Sequence, residues 1–253
     1  MYRFYIGNGR IEENHVILTG KDVNHIKNVL RMKCEERLLV CTTDGTQYCC
    51  KILGFETTQV ITEIESQEQS FVELSIPITL FQGIPKREKM EFVIQKAVEL
   101  GVFEIVPVMT KRVVVKLEDV KREEKKLARW QAIAESAAKQ SGREKIPRIH
   151  PIMDWNEALD YSKGLDITMI PYELEKDKGM RNTKEWIQKA CTKNSIGIFI
   201  GPEGGFEVDE VLMAKAVNVI PISLGRRILR TETAAITTLS ILMYELECHI
   251  ENS

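Results

Sequence analysis

From residue 72 onward the chain repeats one pattern, a short apolar run followed by a helical stretch. That rhythm limits the fold more than any other feature. Residues 72–81, 103–109, 167–170, 196–200 and 219–224 are apolar runs too short to be buried helices. Residues 89–100 instead carry Met90, Val93, Ile94, Ala97 and Val98 on one helical face, and Gly101 supplies a stop. Residues 121–141 form a second amphipathic helix, with Leu127, Trp130, Ala134, Ala137 and Ala138 inward. Strands alternating with helices predict an α/β fold with a parallel sheet covered on both faces. Ligands of such sheets bind beyond the carboxyl ends of the strands. The loops after Ile170, Ile200 and Leu224 are therefore the ones to inspect.

The first 65 or so residues have a different texture. Residues 15–18 and 38–42 are β-prone, and residues 60–64 alternate as a half-buried strand does. Thr43-Asp44-Gly45 is a hairpin signal between Leu39-Val40-Cys41 and Tyr48-Cys49-Cys50. One short helix is expected over residues 21–30. Ser66-Gln67-Glu68-Gln69-Ser70 is polar and lacks apolar periodicity, so it reads as a linker. The expected division is a β domain at 1–66, a linker at 67–71 and an α/β domain at 72–253.

Composition excludes several classes. No apolar run approaches the roughly 20 residues of a membrane helix. The start, Met1-Tyr2-Arg3-Phe4-Tyr5-Ile6, lacks the build of a signal peptide, so a cytosolic protein is expected. The six cysteines form no CxxC pair and the four histidines are scattered, so neither a metal site nor a disulfide framework is expected. A net charge of −2 argues against nucleic acid, but its distribution argues otherwise. Residues 1–33 hold six Lys/Arg against three Asp/Glu, and residues 84–149 hold sixteen against ten, while the remaining segments are acidic. Screening confines each patch to about 10 Å, so a neutral protein can carry a basic face. A merely solvated surface is the competing reading.

Two loops carry the chemistry. After the run at 196–200 comes Gly201-Pro202-Glu203-Gly204-Gly205-Phe206, a tight turn where backbone can approach a ligand. No Gly-Lys-Ser/Thr follows, so it is not a P-loop, and it is not the GxGxxG dinucleotide fingerprint. The other is Leu224-Gly225-Arg226-Arg227-Ile228-Leu229-Arg230-Thr231-Glu232, ahead of a long apolar helix at 234–246. Thr231 is placed to cap that helix. Arginines there are costly unless they meet an acid, a phosphate or an oxyanion. A plain turn and a salt-bridge network are the alternatives for the two loops.

These two motifs together resemble the SPOUT methyltransferases. The chain is more closely similar to the bacterial family (RsmE-like) that methylates N3 of a uridine in 16S ribosomal RNA. Arg3-Phe4-Tyr5, His25 with Val29-Leu30-Arg31, Lys89-Met90-Glu91, Gln95 to Gly101 and Gln140-Ser141-Gly142-Arg143 fit the same family. Val208 departs mildly from it, since a small polar residue is commoner there.

The resemblance implies a PUA-like RNA-binding barrel at 1–66, a trefoil-knotted SPOUT domain after it, and a homodimer. It implies S-adenosylmethionine as donor, held by Pro171, Ile200, Gly201, Pro202, Glu203, Gly204, Gly205, Leu224, Gly225, Ile228, Leu229, Thr231 and Ala234. Arg230 is expected to stabilise negative charge on the uracil oxygens, with Glu203, Glu232 or solvent taking the N3 proton. Ribosomal RNA is expected on Arg3, Lys27 and Arg31 of the barrel and on Arg112, Lys139 and Arg143. The helix at 234–246, with Leu239, Leu242, Met243 and Leu246 in one stripe, is expected to carry the dimer contact. The other readings are a SPOUT enzyme acting on a ribose hydroxyl or a tRNA base, and a non-catalytic RNA-binding factor. The three glycines of the Gly201–Gly205 turn argue against the last.

Overall fold

The computed structural model describes residues 1–6, 11–42, 46–68, 72–86, 88–112, 120–173 and 179–251 of the chain. It separates into two compact units, one of Met1–Glu73 with Ala138–Ile146 and one of Leu74–Ala137 with Pro147–Ser253. The first unit is discontinuous in sequence, where contiguous domains were expected.

The first unit is built on a six-stranded sheet. Its strands are β1 (Tyr2–Ile6), β2 (Ile11–Glu12), β3 (His15–Thr19), β4 (Arg37–Thr42), β5 (Gln47–Phe55) and β6 (Gln59–Glu68), in the order β1-β4-β5-β6-β3-β2. The β1–β4 pair is parallel and the others are antiparallel. Alternating side chains such as Phe4, Val16, Leu18, Leu38, Val40, Ile52 and Val60 fill its core. Helix α1 (Lys21–Asn24) runs into a wider π-helical turn, His25–Val29, so the expected helix is present but changes pitch. The proposed linker is corrected in part: Gln67 and Glu68 belong to β6, paired with Tyr48 and Gln47. Residues 69–71 and the hairpin signal Thr43-Asp44-Gly45 lie outside the described residues.

Residues 138–146 complete this unit through Arg143. Its guanidinium, 3% exposed, pairs with Glu73, whose carboxylate also accepts the backbone N–H groups of Glu144 and Lys145 at 3.0 and 3.1 Å. Burial pushes the Glu73 carboxyl up, but Arg143 and these amides outweigh it and leave it below the usual range. Arg3 Nη1 and the Tyr5 hydroxyl both donate to the Arg143 carbonyl. Arg143 is thus a buried structural cation, which corrects its expected place on an RNA-facing surface. A desolvated arginine with a carboxylate partner is not available to a phosphate.

The second unit holds a parallel sheet. Its strands are β7 (Ile78–Gly83), β8 (Glu104–Met109), β9 (Arg148–Ile149), β10 (Met153–Asp154), β11 (Ile167–Pro171), β12 (Ile196–Ile200) and β13 (Ile220–Ile222). Every pairing is parallel, in the order β10-β8-β7-β12-β11-β13, with β9 beside β8. The helices are α2 (Lys89–Glu99), α3 (Val120–Ser141), α4 (Trp155–Ser162), α5 (Gly179–Ala190), α6 (Val208–Ala216) and α7 (Thr231–Glu251). Gly101 follows α2 at φ +88°, the left-handed geometry of a helix stop. The first strand begins six residues later than expected, after Pro77, which has no N–H to give a ladder.

One expectation about α7 is corrected. Thr231 does not cap it: the Arg230 carbonyl accepts the Ala234 N–H at 2.8 Å, and the threonine hydroxyl is engaged elsewhere. Of the apolar stripe, Leu239, Leu242 and Leu246 are buried within the chain, with α7 packed on α2, and Met243 is half-buried. No helix among the described residues is long and apolar enough to cross a membrane.

Candidate cofactor cavity

The loops after β11, β12 and β13 converge at the carboxyl edge of the sheet, where adjacent strands deliver them side by side. They enclose a cavity of about 170 Å³. One water needs only about 10–15 Å³ by that measure, so the space suits an organic ligand. Every residue assigned from sequence to the cofactor lines it, from Pro171 through Ile200 and the glycine turn to Leu224, Gly225, Ile228, Leu229, Thr231 and Ala234.

Tyr172, Glu173, Phe206, Ser223 and Arg227 also line the cavity, and sequence reasoning did not assign them. Phe206 and Arg227 stood inside the two motifs. Ser223 had no local signal, because its role is tertiary. Its buried backbone is bonded both ways to the Thr183 hydroxyl, and its own hydroxyl accepts the Gly225 N–H at 3.2 Å. This braces Gly225 at φ +104°, where a side chain would be strained.

The glycine turn is held from three directions. Beneath it, the buried Gln82 at the end of β7 donates Nε2–H to Thr231 Oγ1 at 3.0 Å, and Thr231 donates to the Gly201 carbonyl at 2.6 Å. On one flank, Glu203 accepts the Lys86 N–H at 3.1 and 3.2 Å and lies 3.0 Å from Lys89 Nζ. Burial raises the Glu203 carboxyl, but its own and the Lys86 backbone amides together with Lys89 prevail and hold it below the usual range. On the other flank stand Lys111 and Arg112, facing Glu207, Asp209 and Glu210. Under the turn, Phe206 packs on Trp155, which meets Phe199, which stacks on Phe81 at 4.4 Å.

The proposed catalytic residues are brought only partly together. Glu203 lines the cavity; Arg230 and Glu232 flank Leu229, Thr231 and Ala234, which do, without lining it themselves. Lys89 Nζ is 3.8 Å from Glu232 Oε2, too far for a hydrogen bond, and that buried oxygen has no other partner among the described residues. Arg226, Arg227 and Arg230 are exposed, so the fold demands no counter-charge for them. Three of the expected RNA cations belong to the first unit. Lys27 lies over Phe55 at 5.8 Å and donates to the Glu56 carbonyl. Lys139 lies over Tyr5 at 5.8 Å, and Arg31 is exposed.

The residues present fit S-adenosylmethionine. Leu224, Ile228 and Leu229 offer apolar surface for a flat base, and the two loops bring backbone polar groups to the same wall.

Comparison with known proteins agrees. Residues 72–243 match the RNA methyltransferase domain family, and residues 18–65 the RNA methyltransferase PUA domain family. The chain is 34% identical to ribosomal RNA small subunit methyltransferase E of Bacillus subtilis, over 91% of this chain and 90% of that one. It is 36% identical to the protein of the same name from Mesomycoplasma hyopneumoniae, over 95% and 98%. A crystal structure of ribosomal RNA small subunit methyltransferase E from Neisseria gonorrhoeae, bound to S-adenosylmethionine, superposes with a TM-score of 0.81 at 32% identity, covering 96% of this chain and 97% of that one. With a match across two thirds of its length and relatives similar from end to end, the chain belongs to the ribosomal RNA small subunit methyltransferase E family of RNA methyltransferases.

Proposed function

We propose that the protein transfers a methyl group from S-adenosylmethionine to N3 of a uridine in 16S ribosomal RNA of the small subunit. The observation that carries this reading is the convergence of the two motif loops on one cavity, in a chain similar throughout to small-subunit RNA methyltransferases. When bound, S-adenosylmethionine supplies an activated methyl on a cationic sulfur. The chain's part is to orient donor and base and to manage charge. Leu224, Gly225, Leu229 and the glycine turn hold the donor. Arg230, exposed beside Leu229, stabilises negative charge on the uracil oxygens as N3 loses its proton. Glu203 is a poor proton acceptor, because Lys86 and Lys89 already stabilise its anion. Glu232, whose Oε2 takes no hydrogen bond and stands farther from Lys89, or solvent serves better.

The same reading assigns RNA binding to the β domain at 1–66, through Arg3, Lys27 and Arg31, together with Lys139. It assigns catalysis to 72–253, threaded as a trefoil knot, and places the protein in the cytosol. It also includes a homodimer, supported by Phe92 and Tyr244, which stay 45% and 63% exposed on the packed pair α2 and α7. Light scattering at micromolar concentration should give twice the chain mass, and a monomer with intact activity would remove that part.

The deciding experiment is tritiated methyl transfer to under-methylated small ribosomal subunits, with the product mapped by base and atom. Label at uridine N3 is expected. Label at a ribose hydroxyl, or only in tRNA, would point to the other SPOUT activities. Absence of S-adenosylmethionine binding would leave an RNA-binding factor.

A further inference from the structure

Arg112 follows β8 in the loop that flanks the glycine turn. Its Nε donates to Glu207 Oε1 at 2.7 Å and its Nη1 to the Gly204 carbonyl. A Cβ on Gly204 would lie 3.1 Å from Arg112 Cβ and 3.2 Å from its Cδ, closer than ordinary van der Waals contact. The arginine's stem therefore occupies the side on which residue 204 would carry a side chain. The backbone beside Arg112 is fixed as well. Glu210, 1% exposed, accepts the Lys111 N–H and the Glu207 N–H, each at 2.8 Å, joining this loop to the start of α6. The guanidinium is thus delivered to the turn by a buried carboxylate.

One peptide group receives the result. The Gly204–Gly205 peptide gives its oxygen to Arg112, and its N–H to the Pro202 carbonyl at 2.9 Å. Two glycines in sequence have more backbone freedom than any other pair, so a peptide between them keeps one orientation only if held. Gly204 and Gly205 both line the cavity. An arginine committed to this peptide and to Glu207 is poorly placed to serve as a phosphate ligand, the role its charge suggests.

We propose that Arg112 is a positioning residue for the cofactor loop, and that residue 204 is glycine to admit the arginine's stem. This rests on reading the cavity as the S-adenosylmethionine site. The test is calorimetry with S-adenosylmethionine on the full chain, with salt-dependent binding of a small-subunit RNA transcript measured on the same samples. Arg112→Ala should weaken cofactor binding about five- to tenfold, the scale of one charge-assisted hydrogen bond discounted for exposure. Its RNA salt slope should match wild type. Arg112→Lys keeps the charge but cannot reach both acceptors, so it should fall between the two. Gly204→Ala should weaken binding in the wild-type background and cost little more once Arg112 is alanine, a non-additivity that reports the contact. Cofactor binding unchanged in Arg112→Ala, with the RNA slope shallower by about 0.7–0.9, would make it a phosphate ligand and overturn the proposal. So would full rescue by lysine, or an equal cost of Gly204→Ala in both backgrounds. A wild-type protein that binds no S-adenosylmethionine would overturn the cofactor reading itself, and this inference with it.

Discussion

The two ends of the parallel sheet each carry buried polar chemistry, and they use it in opposite ways. At the amino edge, Glu104 opens β8 and is 8% exposed. Its carboxylate takes hydrogen bonds from Thr79 and Tyr161 at 2.8 Å each and meets His150 Nε2 at 2.7 Å. At the carboxyl edge, Glu203 is tied down, but Glu232 keeps an oxygen without a hydrogen bond, 3.8 Å from Lys89 Nζ, and three arginines stand exposed around a cavity. A carboxylate saturated by its own chain can only hold the fold together. One left with spare capacity beside a cavity can still meet something else. The same distinction separates the buried Arg143 from the exposed Arg230.

The contrast predicts mutations that fail in different currencies. The largest effect should come from Arg230→Ala, which should cut single-turnover methylation of under-methylated small subunits by about 10²–10³-fold while cofactor affinity changes far less. Parallel losses of similar size would return Arg230 to a structural role and erase the distinction drawn above. Next is Gly83→Ala. A Cβ there would lie 2.6 Å from Pro202 Cδ and 2.8 Å from Pro202 N, so the backbone of the glycine turn would have to move. Overpacking of this kind costs about 1–3 kcal/mol, expected here mainly as weaker S-adenosylmethionine binding by calorimetry. Unchanged affinity would mean that the turn is not the ligand's cradle.

The amino edge should answer in stability instead. Glu104→Gln should lower unfolding free energy by about 1–3 kcal/mol, leaving cofactor affinity intact. Burial raises the Glu104 carboxyl, but His150, Tyr161 and Thr79 outweigh it and leave it below its ordinary 4.5. A depressed acid contributes fully above its unfolded value and loses that contribution as pH falls through the folded one. The gap between wild type and variant should therefore be widest above about pH 4.5 and close in stronger acid. A gap that stays constant to pH 3 would mean that something other than the anion is at work. The smallest effect is expected for Glu203→Gln, which can still accept the Lys86 N–H and loses only a part-exposed ion pair worth about 0.2–1 kcal/mol. A loss of turnover above about tenfold would instead revive Glu203 as the proton acceptor.

Legibility followed the range of the interactions. Periodicity located α2, α3 and the strands at 104–109, 167–171 and 196–200 to within one or two residues, because each is set by its own side chains. The resemblance placed the cavity lining, because the motifs are contiguous. What sequence could not show depends on segments that meet only in the folded chain. Nothing local marks Ser223, Gln82 or the Glu104 cluster. Arg112 and Arg143 looked alike as surface cations until their partners, Gly204 with Glu207 and Glu73, were seen. The short strands β1 and β10 and the late start of β7 were missed for a related reason, since pairing rather than propensity defines them.

The hydrogen bonds from Gln82 to Thr231 and from Thr231 to Gly201 also say something about time. The first spans 149 positions of sequence, and its acceptor opens the last helix. A nascent chain can already have formed β7, β8, β11 and β12 while Thr231 and Ala234, two walls of the cavity, are still inside the ribosome. Contacts of such long range are closed late, after local structure is in place. The cavity is therefore among the last features to exist, and ligand capture should report completed folding. A chain released early would keep much of the sheet yet be unable to engage its donor.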